Sequence, residues 1–245
     1  SSLDSLKRNV IGGSACPPSM LNTFRDVYGC ETIHAWGMTE ASPLGTANQL
    51  KAKHKDLDTQ QQTQVRLSQG RPPYGVALRL VDGEKSTQLL PHDGETIGNL
   101  QIKGHWIIER YFAQTETSLT TDGWFDTGDI ASLDRDGYLH ISDRAKDLIK
   151  SGGEWISSVE LENIAMGHPD VVMAAVIAAT HPKWDERPVL IAVKAKDSTL
   201  TEHDLISFYH DKIAKWQMPD KVIFVDAIPL SGTGKMLKRK LREDF

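Results

Sequence analysis

The sequence predicts an α/β chain that passes through a small antiparallel β region and ends in a compact α+β domain. Three observations carry this. Residues 8–35 read as strand, helix, strand. Residues 70–140 are short alternating runs separated by Asp-Gly turns. After residues 143–147, about a hundred residues have a pattern of their own.

In order, Arg8-Asn-Val-Ile-Gly-Gly-Ser14 is expected to be a short buried strand running into a Gly-rich turn. Pro17-Pro18 opens a helix with Met20, Leu21, Phe24 and Val27 at helical spacing, and Gly29 ends it. Residues 31–35 form a second strand, which runs into Trp36-Gly-Met-Thr-Glu40, a turn carrying polar groups. Ligands of α/β folds gather at such strand carboxyl ends. Residues 51–64 are almost all polar and fit an exposed helix or loop with solvated lysines. Residues 76–81 and 98–103 alternate, with turns at Asp82-Gly83, Asp93-Gly94 and Asp136-Gly137, so a small sheet or barrel is expected. Beyond the boundary, a helix begins at residues 158–163, buried strands fill 171–179 and 189–193, an amphipathic helix spans 201–216, a strand covers 221–225 and a basic tail follows.

The 245 residues permit one large domain or two ordinary ones. Apolar residues make up 39%, charged residues 25%, and the net charge is -5, so nothing marks a nucleic-acid surface. Cys16 and Cys30 lie outside any CxxC pattern, which fits a reducing, cytoplasmic setting and offers no zinc spacing. No run of 18 apolar residues occurs and no signal peptide is read.

Four stretches are candidates for chemistry. Asp122-Gly-Trp-Phe-Asp-Thr-Gly-Asp129 is a poor helix and a poor uninterrupted strand, and its last carboxylate, stiffly held, suits a ribose diol. Trp36-Gly-Met-Thr-Glu40 combines an aromatic plate, a hydroxyl and a carboxylate able to hold a hard divalent cation, although Trp36 also reads as core. Ile149-Lys-Ser-Gly-Gly-Glu-Trp-Ile156 is Gly-rich and permits a narrow ligand to approach, or is a plain interdomain turn. Pro229-Leu-Ser-Gly-Thr-Gly-Lys235 imitates a Walker A loop, but Pro229 and Met236 stand where Gly and Ser or Thr are needed, so a P-loop is rejected. Lys235 can still reach a phosphate as a point charge, whereas Lys238 and Lys240 read as solvated.

With Gly12-Gly-Ser-Ala15 and Gly137-Tyr-Leu-His-Ile-Ser-Asp-Arg144, these motifs follow one order along the whole chain. Together they resemble the adenylate-forming (AMP-binding) superfamily. The Lys150 stretch and His181-Pro-Lys-Trp-Asp-Glu-Arg-Pro188 look most like its medium- and long-chain fatty acyl-CoA synthetases. The resemblance implies that residues 1–145 are the carboxyl-terminal part of the large domain, with an α/β segment and a barrel-like subdomain, and that residues 146–245 are a mobile α+β lid. It implies ATP, Mg2+ and CoA as cofactors or co-substrates and a carboxylic acid as substrate; a homo-oligomer is left open.

Residue by residue, the resemblance implies that Gly12, Gly13 and Ser14 lie along the adenine and acyl site, with Gly37 and Met38 in the nucleotide pocket. Trp36 would stack near adenine, Thr39 bind the α-phosphate and Glu40 the magnesium. Asp129 would hold the ribose hydroxyls with Arg144, and Lys146 would be the hinge. Lys150 would be among the cofactor-binding residues, Gly152 and Gly153 would line the pantetheine tunnel, and Lys235 would contact the reacting carboxylate and α-phosphate. The family's phosphate loop lies upstream of the first motif, so the chain is expected to be part of a longer synthetase and inactive alone. Other readings are a CoA ligase for a methylthio-propionate or aromatic acid, transfer to a carrier-protein thiol, and a non-catalytic nucleotide-binding module.

Overall fold

The computed structural model describes residues 5–13, 16–232 and 234–245. Its contacts divide the chain into two compact units, Ser1–Ala145 and Lys146–Phe245.

The first unit begins with β1 (Arg8–Gly12), α1 (Pro18–Asp26), β2 (Glu31–Gly37) and β3 (Leu44–Ala47). β1 pairs in parallel with β2, and β2 pairs antiparallel with β3. The parallel pair requires a crossover, and α1 supplies it, with Pro at its start and Leu21 turned into the core. β1 is not the buried strand expected. It is the edge of this sheet, and its residues alternate between exposed and half-buried. α2 (Thr59–Leu67) fits the polar stretch and is closed at its start by a capping box between Asp58 and Gln61. Two lysines just ahead of it are not simply solvated, because Lys51 and Lys53 both pair with Asp136.

β4 (Val76–Val81), β5 (Gly98–Gly104), β6 (Phe125–Leu133) and β7 (Leu139–Arg144) then form a four-stranded antiparallel meander. It is an open sheet and no barrel closes, since β4 and β7 do not pair. Leu80, Leu100, Ala131, Leu133 and Leu139 fill one layer of its core. The poor fit of residues 122–129 to an uninterrupted strand is realised as a bulge. β5 and β6 pair at Gln101↔Asp126 and again at Asn99↔Ile130, so three residues of β6 face Leu100 alone. Gly128 takes φ +70 within that bulge, and the Thr127 hydroxyl replaces the missing ladder bond by donating to the Leu100 carbonyl at 2.8 Å.

The second unit contains β8 (Ile149–Ser151), β9 (Glu154–Ile156), α3 (Ser158–Met166), β10 (Val171–His181), β11 (Asp185–Lys194), α4 (Glu202–Ser207), β12 (Lys221–Phe224) and α5 (Lys238–Asp244). β11 is its central strand, antiparallel to β10 and parallel to β12. Successive residues of β10 point to opposite faces. Ala174 and Val176 join Leu161, Leu205 and Tyr209 on one side, and Ala175 and Ile177 join Ile228 and Leu241 on the other. The sheet is therefore covered on both faces.

Two expectations fail in this unit. The helix foreseen over 201–216 stops at Ser207, and the chain continues through turns, with Asp211 at φ +63, to a 3-10 turn at Lys215–Gln217. A left-handed residue cannot continue an α-helix. The basic tail is the helix α5, and Lys238 is buried in it: Nζ lies 2.6 Å from Glu162 Oε1 and donates to Ser158 Oγ at 2.6 Å.

Candidate nucleotide site and second-unit loops

In the first unit, the bulge in β6 fixes Asp129, which is only 3% exposed. Its backbone N–H donates to the Thr127 hydroxyl at 3.1 Å. Trp36 Nε1 donates to Asp129 Oδ2 at 2.9 Å, and Arg144 Nε lies 3.2 Å from Oδ1. The structure thus brings Trp36, Asp129 and Arg144 together. Trp36 is packed against the core and also has a polar partner. The half-buried ring packs beside Leu78 and Met38 near Ile102 and Leu80, and its N–H is spent on the carboxylate.

Gly37, Met38, Thr39 and Glu40 lie where β2 ends and a 3-10 turn over Thr39–Ala41 begins. Met38 N donates to the Pro43 carbonyl at 2.9 Å, and a Cβ on Gly37 would sit 1.9 Å from that oxygen. Glycine is needed there for close backbone approach. Thr39 is exposed. Glu40 Oε1 accepts from the Tyr111 hydroxyl at 2.8 Å, and burial, then this contact, raises the Tyr111 hydroxyl above its usual range. No spacing rule would pair Tyr111 with Glu40, because 71 positions separate them. Among the described residues no three His, Cys, Asp or Glu side chains gather as a metal cage. Glu40 offers one carboxylate, and magnesium takes one or two carboxylates plus substrate oxygens, so the residue type fits that ion.

Gly12 closes β1 opposite Ala35, and Gly13 follows at φ +80. Ser14 lies outside the described residues. Burial pushes the nearby Cys16 thiol up to about 11, which keeps it protonated and inert.

In the second unit, Lys146 is the first residue, and its carbonyl accepts from Arg242 at 3.2 Å. Gly152 and Gly153 are the two central residues of the β8–β9 hairpin, at φ +60 and +89, as a two-residue turn between paired Ser151 and Glu154 demands. This is a tight tip and not a loose loop. Gly152 N donates to the Trp184 carbonyl at 2.9 Å, and a Cβ on Gly152 would meet the Trp184 ring at 2.9 Å. Trp184 is thus a neighbour of the tip that sequence spacing alone did not connect to it. Lys150 precedes the tip, exposed, with its backbone N–H on Glu186 and its ammonium 6.0 Å from the Trp155 ring centroid. Lys235 is exposed at the end of a short loop closed by Ser231 N to Lys235 O at 2.7 Å and Lys235 N to Ser231 Oγ at 3.1 Å. Thr233 of that loop lies outside the described residues.

The architecture defines the class first. It is the fold of adenylate-forming enzymes, matching the anthranilate CoA ligase AuaEII in complex with anthranoyl-AMP with a TM-score of 0.83 at 27% identity, over 98% of this chain and 45% of that one. The chain belongs to the AMP-binding enzyme family: residues 1–112 match the AMP-binding enzyme model, and residues 160–235 match the AMP-binding enzyme C-terminal domain. It is 60% identical to 3-methylmercaptopropionyl-CoA ligase of Ruegeria pomeroyi over 100% of its own length and 45% of the relative's. It is 57% identical to medium-chain-fatty-acid–CoA ligase of Ectopseudomonas oleovorans over 98% of its length and 44% of the relative's. The chain thus spans less than half the length of these curated relatives.

Proposed function

We propose that this chain is part of an acyl-CoA ligase that activates a fatty acid of medium or long chain with ATP and transfers the acyl group to CoA. The observation that carries the reading is the buried Asp129 carboxylate, oriented by Trp36 and Arg144 as a ribose diol requires. In the first half-reaction, a carboxylate oxygen of the acid bonds to the α-phosphorus of ATP and pyrophosphate leaves, giving an acyl-adenylate. In the second, the CoA sulfur bonds to the acyl carbon and AMP leaves. The first step brings anions together, so Lys235 supplies positive charge at the reacting oxygens while Thr39 holds the α-phosphate. Glu40 would hold magnesium, which would supply neutralisation of phosphate charge.

The second step needs a narrow passage for pantetheine. Gly152 and Gly153, which carry no side chains at an exposed hairpin tip, suit that task. In this reading residues 1–145 belong to the large domain, residues 146–245 are the lid, and Lys146 is the hinge that exchanges the Lys235 loop for the Gly152-Gly153 tip. Gly12, Gly13 and Ser14 border the acyl and adenine site, and Lys150 stands beside the CoA path. Among the described residues no helix is long and apolar enough to cross a membrane.

A second acid is favoured by the 60% identity to 3-methylmercaptopropionyl-CoA ligases, namely a short methylthio-substituted acid. The test uses the full-length protein. Pyrophosphate release is measured over acids of graded chain length and over 3-(methylthio)propionate, with wild type and Lys235→Ala. Lys235→Ala is expected to lose adenylate formation and to keep thioester formation from supplied acyl-AMP. Equal loss of both half-reactions would refute the role of Lys235, and no pyrophosphate release with any acid would refute the function.

A further inference from the structure

Trp36 contributes more to the nucleotide site than an aromatic surface. Its ring is wedged: a Cβ on Gly45 would lie 2.2 Å from the ring, and the ring packs against both hydrophobic layers of the first unit. A ring held in this way has a fixed N–H direction, and that N–H points at Asp129 Oδ2, 2.9 Å away and 93 positions along the chain. Arg144, which ion-pairs with Oδ1, is 45% exposed and reaches it from a long side chain that costs entropy to hold in one place. The indole is therefore the rigid member of the pair.

Resting on the reading of Asp129 as the ribose ligand, we propose that Trp36 is a positioning residue. Its indole N–H sets the plane of the Asp129 carboxylate, and through it the enzyme's selectivity for a nucleotide carrying both ribose hydroxyls. This differs from an adenine plate, because a plate acts on the base alike whatever the sugar carries.

The experiment compares kcat and KM for ATP, 2′-deoxy-ATP and 3′-deoxy-ATP in the full-length enzyme. The proteins are wild type, Trp36→Phe, Asp129→Asn, and a variant carrying benzothienylalanine at position 36 only, which keeps the bicyclic ring and lacks the N–H. Trp36→Phe is expected to raise KM for ATP about tenfold, as loss of a hydrogen bond to a charged group does, with kcat within about twofold. The preference for ATP over the deoxy nucleotides should fall by about the same factor, and the benzothienyl variant should match Trp36→Phe. If Asp129→Asn abolishes the preference but neither position-36 variant alters it, or if all three nucleotides weaken equally, Trp36 is not a positioning residue and the ribose reading stands. If Asp129→Asn itself leaves the preference unchanged, the ribose reading falls and takes this inference with it.

Discussion

The ion pair beneath α5 makes the sharpest stability prediction, because the sequence alone would leave Lys238 in solvent. Its side chain is 10% exposed and that of Glu162 is 7% exposed, with Nζ 2.6 Å from Oε1. Ser158 Oγ accepts a second bond from the ammonium at 2.6 Å, and Oε1 also accepts the Val176 N–H of β10 at 2.8 Å. Lys238→Ala strands the carboxylate in the interior without this ammonium, and breaking one side of a buried pair costs about 3–5 kcal/mol. For a unit of this size each kcal/mol is worth about 4–8 °C, so residues 146–245 should melt about 12 °C or more lower. Lys238→Met with Glu162→Gln removes both charges and keeps an acceptor for Val176. It should cost about 1–2 kcal/mol, less than the single change. Urea titrations of wild type, Lys238→Ala, Lys238→Met, Glu162→Gln and the Lys238→Met/Glu162→Gln double, read by far-ultraviolet circular dichroism, give the single loss and close the cycle. A loss below about 1 kcal/mol for Lys238→Ala would place this lysine among ordinary surface pairs and refute the reasoning.

Three further outcomes follow from local geometry. Gly37→Ala forces a methyl group to 1.9 Å from a backbone oxygen that no rotamer can move aside; it should destabilise the first unit by about 3 kcal/mol, checked by thermal unfolding. Gly152→Ala places a side chain at φ +60 and 2.9 Å from the Trp184 ring; it should cost about 1–2 kcal/mol and slow thioester formation more than adenylate formation when the half-reactions are timed separately. The ammonium of Lys53, then that of Lys51, holds the Asp136 carboxyl down at about 2, below the unfolded value of about 3.9. Its folded pKa is the lower one, so its contribution is complete above about pH 4 and is lost as pH falls toward 2. Asp136→Asn should flatten that part of the acid stability curve.

What could be read from the sequence was local. The strand–helix–strand start, the Asp-Gly punctuated short strands and the buried strands over 171–179 and 189–193 are written in periodicities of 3.6 and 2 and in glycine placement, and they are found in the structure. The motifs also led to Asp129 and Arg144 as a pair. What stayed hidden depends on contacts between distant positions. β1 looked buried by composition, but its burial depends on what lies beside it in the sheet. The helix over 201–216 had the right spacing of apolar residues, yet those residues reach the core through turns. Lys238 and Glu162 are 76 positions apart, and Tyr111 and Glu40 are 71 apart, so no spacing rule could couple either pair.

The pairing of Asp129 with Arg144 depends on an irregularity in the sheet. β6 and β7 pair at Ala131↔Ile141, and an unbroken antiparallel ladder from there would set Ile130 against Ser142 and Asp129 against Asp143. Two carboxylates directly opposed would repel, and the more so where both are buried. Instead the register shifts, Ser142 is the extra residue, and the ladder resumes at Ile130↔Asp143 and Asp129↔Arg144. One added residue in β7 therefore exchanges a like-charge pair for an ion pair. On the other side of the same strand, the bulge against Leu100 lets Gly128 turn Asp129 toward Trp36. A regular sheet would be the simpler structure, but it would bury this carboxylate beside another one. The two interruptions, on opposite edges of β6, are what hold this buried aspartate between Trp36 and Arg144.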